Sequence, residues 1–314
     1  MRLIPEYEPV QKLYLSFVHH FFNTRFHYGP AICEIIKAAH PFVEVELFVP
    51  PADLPYLQQE FERAQVDPES VLLNFDTPGR AIVAEYMPLF AEDDNGETAG
   101  FIFENPFIDD APARKEFSRR VLQRLGMKPL ELGFAFATAA IAVSDDIVLL
   151  SQSLFEGQDA PANLSALQER FPQQRFYVVP ILAGDISHDL DMYLWPIAPG
   201  VWIVSEYPAG SQQAASIAPA LQILDRHGHT VYRVPGLEPI IRDDIVAFPN
   251  YTNGVILNQA ALIPAYGRRE DEVVQDILRD YGYLVYPIDC SNIILTNSAI
   301  HCISKTAPKK GLQR

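Results

Sequence analysis

The sequence predicts an α/β fold in which about five ββαβ-like repeats close radially into one domain spanning residues 1–314. Three observations predict it. Six helical patterns each lead into a short apolar strand. Four strand pairs flank tight polar turns. No linker or low-complexity stretch divides the 314 residues. With 48% hydrophobic and 20% charged residues the chain can bury a large core.

In chain order, residues 30–40 read as a helix, followed by a partly alternating strand at 43–49. The same helix-to-strand step recurs at 52–64 into 71–75, 113–125 into 130–136, and 164–171 into 176–181. It recurs again at 212–227 into 230–234 and at 270–281 into 284–288. Hairpins are expected between these units. Strands 85–90 and 100–103 flank Asp93-Asp94-Asn95-Gly96, in which Asn-Gly is a strong hairpin signal. Strands 139–143 and 147–150 flank Ser144-Asp145-Asp146, and the pairs 191–196 with 200–204 and 254–257 with 260–263 follow. The fifth pair would join 299–303 to 14–18, so that the two termini complete one repeat.

Charge argues against one class of partner. Lys plus Arg number 24 against 40 Asp plus Glu, a net charge of −16, which opposes nucleic-acid binding and is compatible with a cationic small molecule. The longest nearly apolar run, 132–143, is shorter than the roughly 20 residues a bilayer demands. The opening residues carry no secretory signal, so no membrane partner and a cytoplasmic location are expected. Cys33, Cys290 and Cys302 form no CxxC pair, and His19, His20, His27, His40, His227 and His229 show no metal-ligand spacing. Those six histidines are expected at the surface or in loops. No metal site or cofactor is expected.

Chemistry-bearing residues recur at equivalent places in the repeats. The first hairpin strand of successive copies carries Glu85-Tyr86, then His188-Asp189-Leu190-Asp191, then Asn250-Tyr251-Thr252-Asn253, and the last His301-Cys302. Each alone has a structural explanation; the shared register makes them a candidate site.

Asn250-Tyr251-Thr252-Asn253, followed by Asn258, Pro264, Tyr266, Gly267 and then Ile300-His301-Cys302-Ile303, resembles the C-terminal part of agmatine deiminases and bacterial peptidyl-arginine deiminases. Pro5-Glu6-Tyr7-Glu8-Pro9, Glu85-Tyr86-Met87-Pro88 and Asp191-Met192-Tyr193-Leu194 are similar to further family segments. The resemblance implies the five-bladed, pseudo-symmetric α/β propeller of the guanidino-group modifying enzymes. It implies a cysteine hydrolase acting on a guanidine or amidine C–N bond through a covalent thiouronium intermediate. Cys302 maps to the nucleophile, Asp191 and Glu85 to carboxylates gripping the guanidinium, and His188 to the acid/base. Asn253, Asp189 and Tyr86 are assigned to substrate binding. The implied substrate is a cationic guanidine compound or an arginine side chain.

Departures from the family pattern are equally specific. Ala84-Glu85 stands for Arg-Asp, Ala137-Thr138-Ala139 for Glu-Gly-Gly, and His188 lies one residue further from its aspartate. On a regular strand His188 and Asp191 would face opposite ways, so a shared face requires a bulge. Amidino transfer to an acceptor amine and a non-catalytic binding module stay open as alternatives, as does assembly into a homo-oligomer.

Overall fold

The computed structural model describes residues 1–105, 111–242 and 245–311. The described helices include Gly29–Ala39, Leu54–Ala64, Ala111–Leu125, Ala160–Arg170, Gln212–Arg226 and Asp271–Asp280, all at predicted places. Local chemistry sets their ends. Asp159 and Ser211 accept from the N–H groups of Ala162 and Ala214, capping two helices. Pro30 sits in the first turn of Gly29–Ala39, where its missing N–H costs nothing.

The chain divides into two compact units, each made of discontinuous segments: residues 1–8, 85–233 and 308 onward, and residues 9–84 with 234–307. In the first unit, strands Leu89–Glu92 and Thr98–Ile102 pair antiparallel, and Lys128–Glu131 joins the latter in parallel. Ile141–Val143, Ile147–Ser151 and Arg175–Val179 repeat this arrangement. Leu194–Ala198 and Val201–Glu206 form the next hairpin, with Thr230–Pro235 beside the second strand. Leu3, Phe101, Phe136, Val148, Leu150 and Phe171 are among the residues of its core.

The second unit repeats the pattern. Val255–Leu257 pairs antiparallel with Ala260–Ala265, which runs parallel to Leu284–Asp289. Ser304–Pro308 neighbours Val10–Ser16, which runs parallel to Glu44–Phe48, so a C-terminal strand does lie beside one near the N-terminus, but it starts after the expected 299–303. Leu13, Ile32, Ile36, Leu47, Leu262 and Ile300 are among the residues packed in one cluster. The architecture is mixed α/β, in separate sheets. No described helix is long and apolar enough to cross a membrane.

The structure corrects the expected strand starts. Residues 132–136 are not strand, because Lys128–Glu131 ends just before Gly133, which takes φ +86°. The chemistry-bearing residues lie in turns ahead of their hairpin strands instead of on them. Glu85 closes a 3-10 turn, Val83–Glu85, and the strand starts at Leu89, after Pro88. Asp191 precedes strand Leu194–Ala198, where Tyr193 and Leu194 N–H groups both donate to Leu190 O. Cys302 stands in a turn that ends at Ser304, whose N–H donates to His301 O.

Candidate active site

Cys302 is 3% exposed, and the side chain of Asn253 holds it at two points. Asn253 Nδ2 donates to Cys302 Sγ at 3.1 Å, while Asn253 Oδ1 accepts from Cys302 N–H at 3.3 Å. Only the amide oxygen can accept the backbone N–H, so the nitrogen end must face sulfur. Asn253 O also accepts His301 N–H at 3.1 Å, and Cys302 O accepts Ala84 N–H at 3.1 Å.

Asn253 is fixed in turn. Asn250 Oδ1 accepts Asn253 N–H at 2.9 Å and the Thr252 hydroxyl at 3.2 Å, a side-chain-built turn that displaces the strand start to Val255. Tyr266 Oη donates to Asn250 O at 2.9 Å and accepts Asn250 N–H at 3.3 Å. Burial raises the Tyr266 phenol well above its ordinary pKa, so it remains a neutral donor. The Asp271 carboxylate accepts from the Tyr251 hydroxyl at 2.6 Å, Tyr266 N–H at 3.1 Å and Arg268 N–H at 3.1 Å. Asn250, Tyr251, Thr252, Asn253 and Tyr266 stand in the motif the sequence shows, whereas Asp271 does not. The Asn250-x-x-Asn253 spacing, able to form an Asx-type turn, was the available signal.

The other two thiols sit elsewhere in the same unit. Cys33, fully buried, has its pKa pushed up to about 12 by burial and then by Glu60. Cys290, 1% exposed, is raised further by burial and then by Asp289. Neither shift favours a thiolate near neutral pH.

The remaining candidates lie in the first unit. His188 has φ +66° in an irregular segment, so strand alternation does not govern where it faces. Its carbonyl accepts from Ser153 Oγ at 3.4 Å. Asp189 is half-buried and Asp191 only 6% exposed. Leu190, between them, donates its N–H to Ala139 O at 3.1 Å. The neutral Ala137-Thr138-Ala139 stretch therefore runs beside the acidic segment, with Thr138 2% exposed. Glu85 is half-buried, and its carbonyl accepts from Asn105 Nδ2 at 3.2 Å. The next residue, Tyr86, is 2% exposed, its ring edge-on to Phe117 with centroids 5.4 Å apart, and its carbonyl accepts from Ser118 Oγ.

Two of the six histidines lie in a loop, as expected, but with buried side chains. His227 and His229 follow a helix end, and their side chains are 9% and 5% exposed and flank Asp146. Trp202 Nε1 donates to His229 Nδ1 at 2.8 Å. Indole N–H only donates, so this His229 is neutral with its proton on Nε2, 3.1 Å from Asp146 Oδ1. That tautomer leaves no lone pair on Nε2 for a metal.

Solved structures share this fold at low identity. An agmatine deiminase of C. jejuni is 16% identical, covering 98% of this chain and 96% of its own, with a TM-score of 0.84. An agmatine deiminase of Enterococcus faecalis is 15% identical over 98% and 96% of the two chains, with a TM-score of 0.83. The DDAH of Pseudomonas aeruginosa is 11% identical over 95% and 100%, with a TM-score of 0.56. Comparison with curated proteins gives no match. The sequence profile of one family, however, matches residues 2–308, nearly the whole chain. The protein thus belongs to the Porphyromonas-type peptidyl-arginine deiminase family, hydrolases that cleave C–N bonds of guanidino groups.

Proposed function

We propose that this hydrolase deiminates a small cationic guanidine, with Cys302 as nucleophile, Asp191 and Glu85 as gripping carboxylates, and His188 as acid/base. The observation that carries the reading is the buried Cys302 sulfur, 3.1 Å from a rigidly held N–H donor. The bound form of a C. jejuni agmatine deiminase variant, solved with its substrate, supports a guanidine ligand for this fold.

The residue set suits the chemistry. A guanidinium stays protonated at physiological pH, so carboxylates must hold its charge and orient its plane before a nucleophile attacks carbon. The Cys302 thiolate forms the C–S bond, and His188 protonates the departing nitrogen, which leaves as ammonia. His188 then takes a proton from water as it attacks the thiouronium carbon, the C–S bond breaks, and its electron pair returns to sulfur. The net change is guanidinium plus water to a ureido group plus ammonium. With 137–139 neutral, Asp191 and Glu85 face the single positive charge, while Asp189 and Tyr86 border the bound group. Amidino transfer is the alternative outcome if an acceptor amine replaces water.

The five-bladed, radially closed arrangement and the single domain belong to the same proposal, supported by the repeated ββαβ units and by the discontinuous segments of both units. So does a cytoplasmic enzyme, supported by the lack of any disulfide among Cys33, Cys290 and Cys302.

Incubation with agmatine, free arginine and an arginine peptide, with ammonia and ureido product measured, tests the reading. Ammonia and a ureido product from agmatine, lost in Cys302→Ala by at least about a thousandfold, are expected. Full activity in Cys302→Ala, or turnover only with an added acceptor amine, overturns it.

A further inference from the structure

Resting on His188 as acid/base, we infer that Asp185 and Ser187 are positioning residues that hold His188 in the backbone conformation proton transfer needs. His188 takes φ +66°, a left-handed conformation that favours glycine and that a histidine keeps only where its surroundings impose it. Such a residue also breaks the strand alternation that would send His188 and Asp191 to opposite faces.

Two side chains impose it. Asp185 Oδ2 accepts the Ser187 hydroxyl at 2.7 Å and the Ser187 N–H at 3.2 Å. The hydroxyl proton is thereby committed to Asp185, which leaves an oxygen lone pair for another donor. That donor is Asp189 N–H, 3.3 Å from Ser187 Oγ, so one serine closes the backbone around His188. Beyond it, Ser153 Oγ donates to His188 O, and Leu190 N–H donates to Ala139 O.

Apolar burial does not explain the shape of this loop. Ile186, between the two side chains, is 70% exposed, whereas Asp185 is 5% exposed. A loop folded by burial would place them the other way round. Its base is tied down as well. Asp185 N–H donates to Leu182 O at 3.0 Å. Ser216 Oγ accepts Ala183 N–H at 3.1 Å, and Gln213 Nε2 donates to Ala183 O at 3.2 Å, both from helix Gln212–Arg226. The buried carboxylate therefore rests on a fixed frame and, through Ser187, fixes the backbone of His188. A group that gives a proton to the leaving nitrogen and then takes one from water gains from this preorganisation, because a small misplacement slows both transfers.

The test is steady-state hydrolysis of agmatine, with thermal unfolding, in wild type, Ser187→Ala, Ser187→Thr, Asp185→Asn and His188→Gly. Ser187→Ala removes both bonds of the hydroxyl, and kcat falls about tenfold or more with KM changed less than about threefold. Ser187→Thr keeps the hydroxyl and stays within about threefold of wild-type kcat. A merely structural serine would lower the unfolding temperature of Ser187→Ala and leave kcat of the folded enzyme unchanged; that result overturns the inference. Should Ser187→Ala not fold, Asp185→Asn, which keeps an acceptor oxygen but not the charge, decides by the same fall in kcat. Glycine adopts φ +66° without cost, so His188→Gly unfolds no earlier than wild type while kcat falls at least about a hundredfold. Full activity in His188→Gly overturns the acid/base reading itself, a failure separate from wild-type kcat in Ser187→Ala.

Discussion

Alkylation at pH 8 separates the three cysteines by the environments that hold them. Cys33 has its pKa pushed up to about 12, so only about one thiol in 10⁴ is ionised at pH 8. An ordinary thiol with the reference value of 9.0 is about one-tenth ionised there. Thiolate supply alone thus slows Cys33 by about 10³, and Cys290, raised further by burial, is slower still. Exposures of 0% and 1% add a steric barrier, so both wait on opening of the core. Cys302 is itself 3% exposed but hydrogen-bonded by an N–H donor. Treating the native protein with a haloacetamidine and mapping the peptides by mass spectrometry is therefore expected to label Cys302 at least about a hundredfold faster than the other two. Excess agmatine should protect Cys302 alone. Equal labelling of all three, or labelling led by Cys33, would refute the assignment.

Two further outcomes concern stability. Gly100→Ala places a Cβ 2.2 Å from Leu122 Cδ2, so thermal unfolding should show a loss of about 1–3 kcal/mol, partly recovered by adding Leu122→Ala. Burial raises Tyr193, Tyr251 and Tyr266 above their ordinary 10.0, so the unfolded chain releases these protons first. Their contribution is complete below about pH 9 and falls above pH 10 by about 1.4 kcal/mol per pH unit for each, which urea midpoints at pH 8, 10 and 11 will read; an unchanged midpoint at pH 11 would contradict it.

Helices and strands were legible in the sequence because their signals are local: apolar spacing, caps such as Asp159 and Ser211, and the Asn95-Gly96 turn. The ββαβ order followed from them, and so did the lateral pairing of the terminal strands, once the repeats were counted. Strand starts are not legible in the sequence because a run such as Ala299–Ile303 is as apolar as a strand. Only the bonds from Ile303 N–H to Ala299 O and from Ser304 N–H to His301 O make it a turn.

By itself, then, the sequence determined the α/β class, the repeat and the residue types able to bind and attack a guanidinium. Tertiary structure decided what those residues do to one another. Asn253 and Cys302 are 49 residues apart, and nothing in either neighbourhood says that one amide will meet one thiol from both ends. Cys33, Cys290 and Cys302 are the same side chain in sequence, and they differ only in what packs around the sulfur. Periodicity reports which face of an element is buried; it carries no information on which buried groups from distant segments meet there, because that depends on packing between elements and not on order along one.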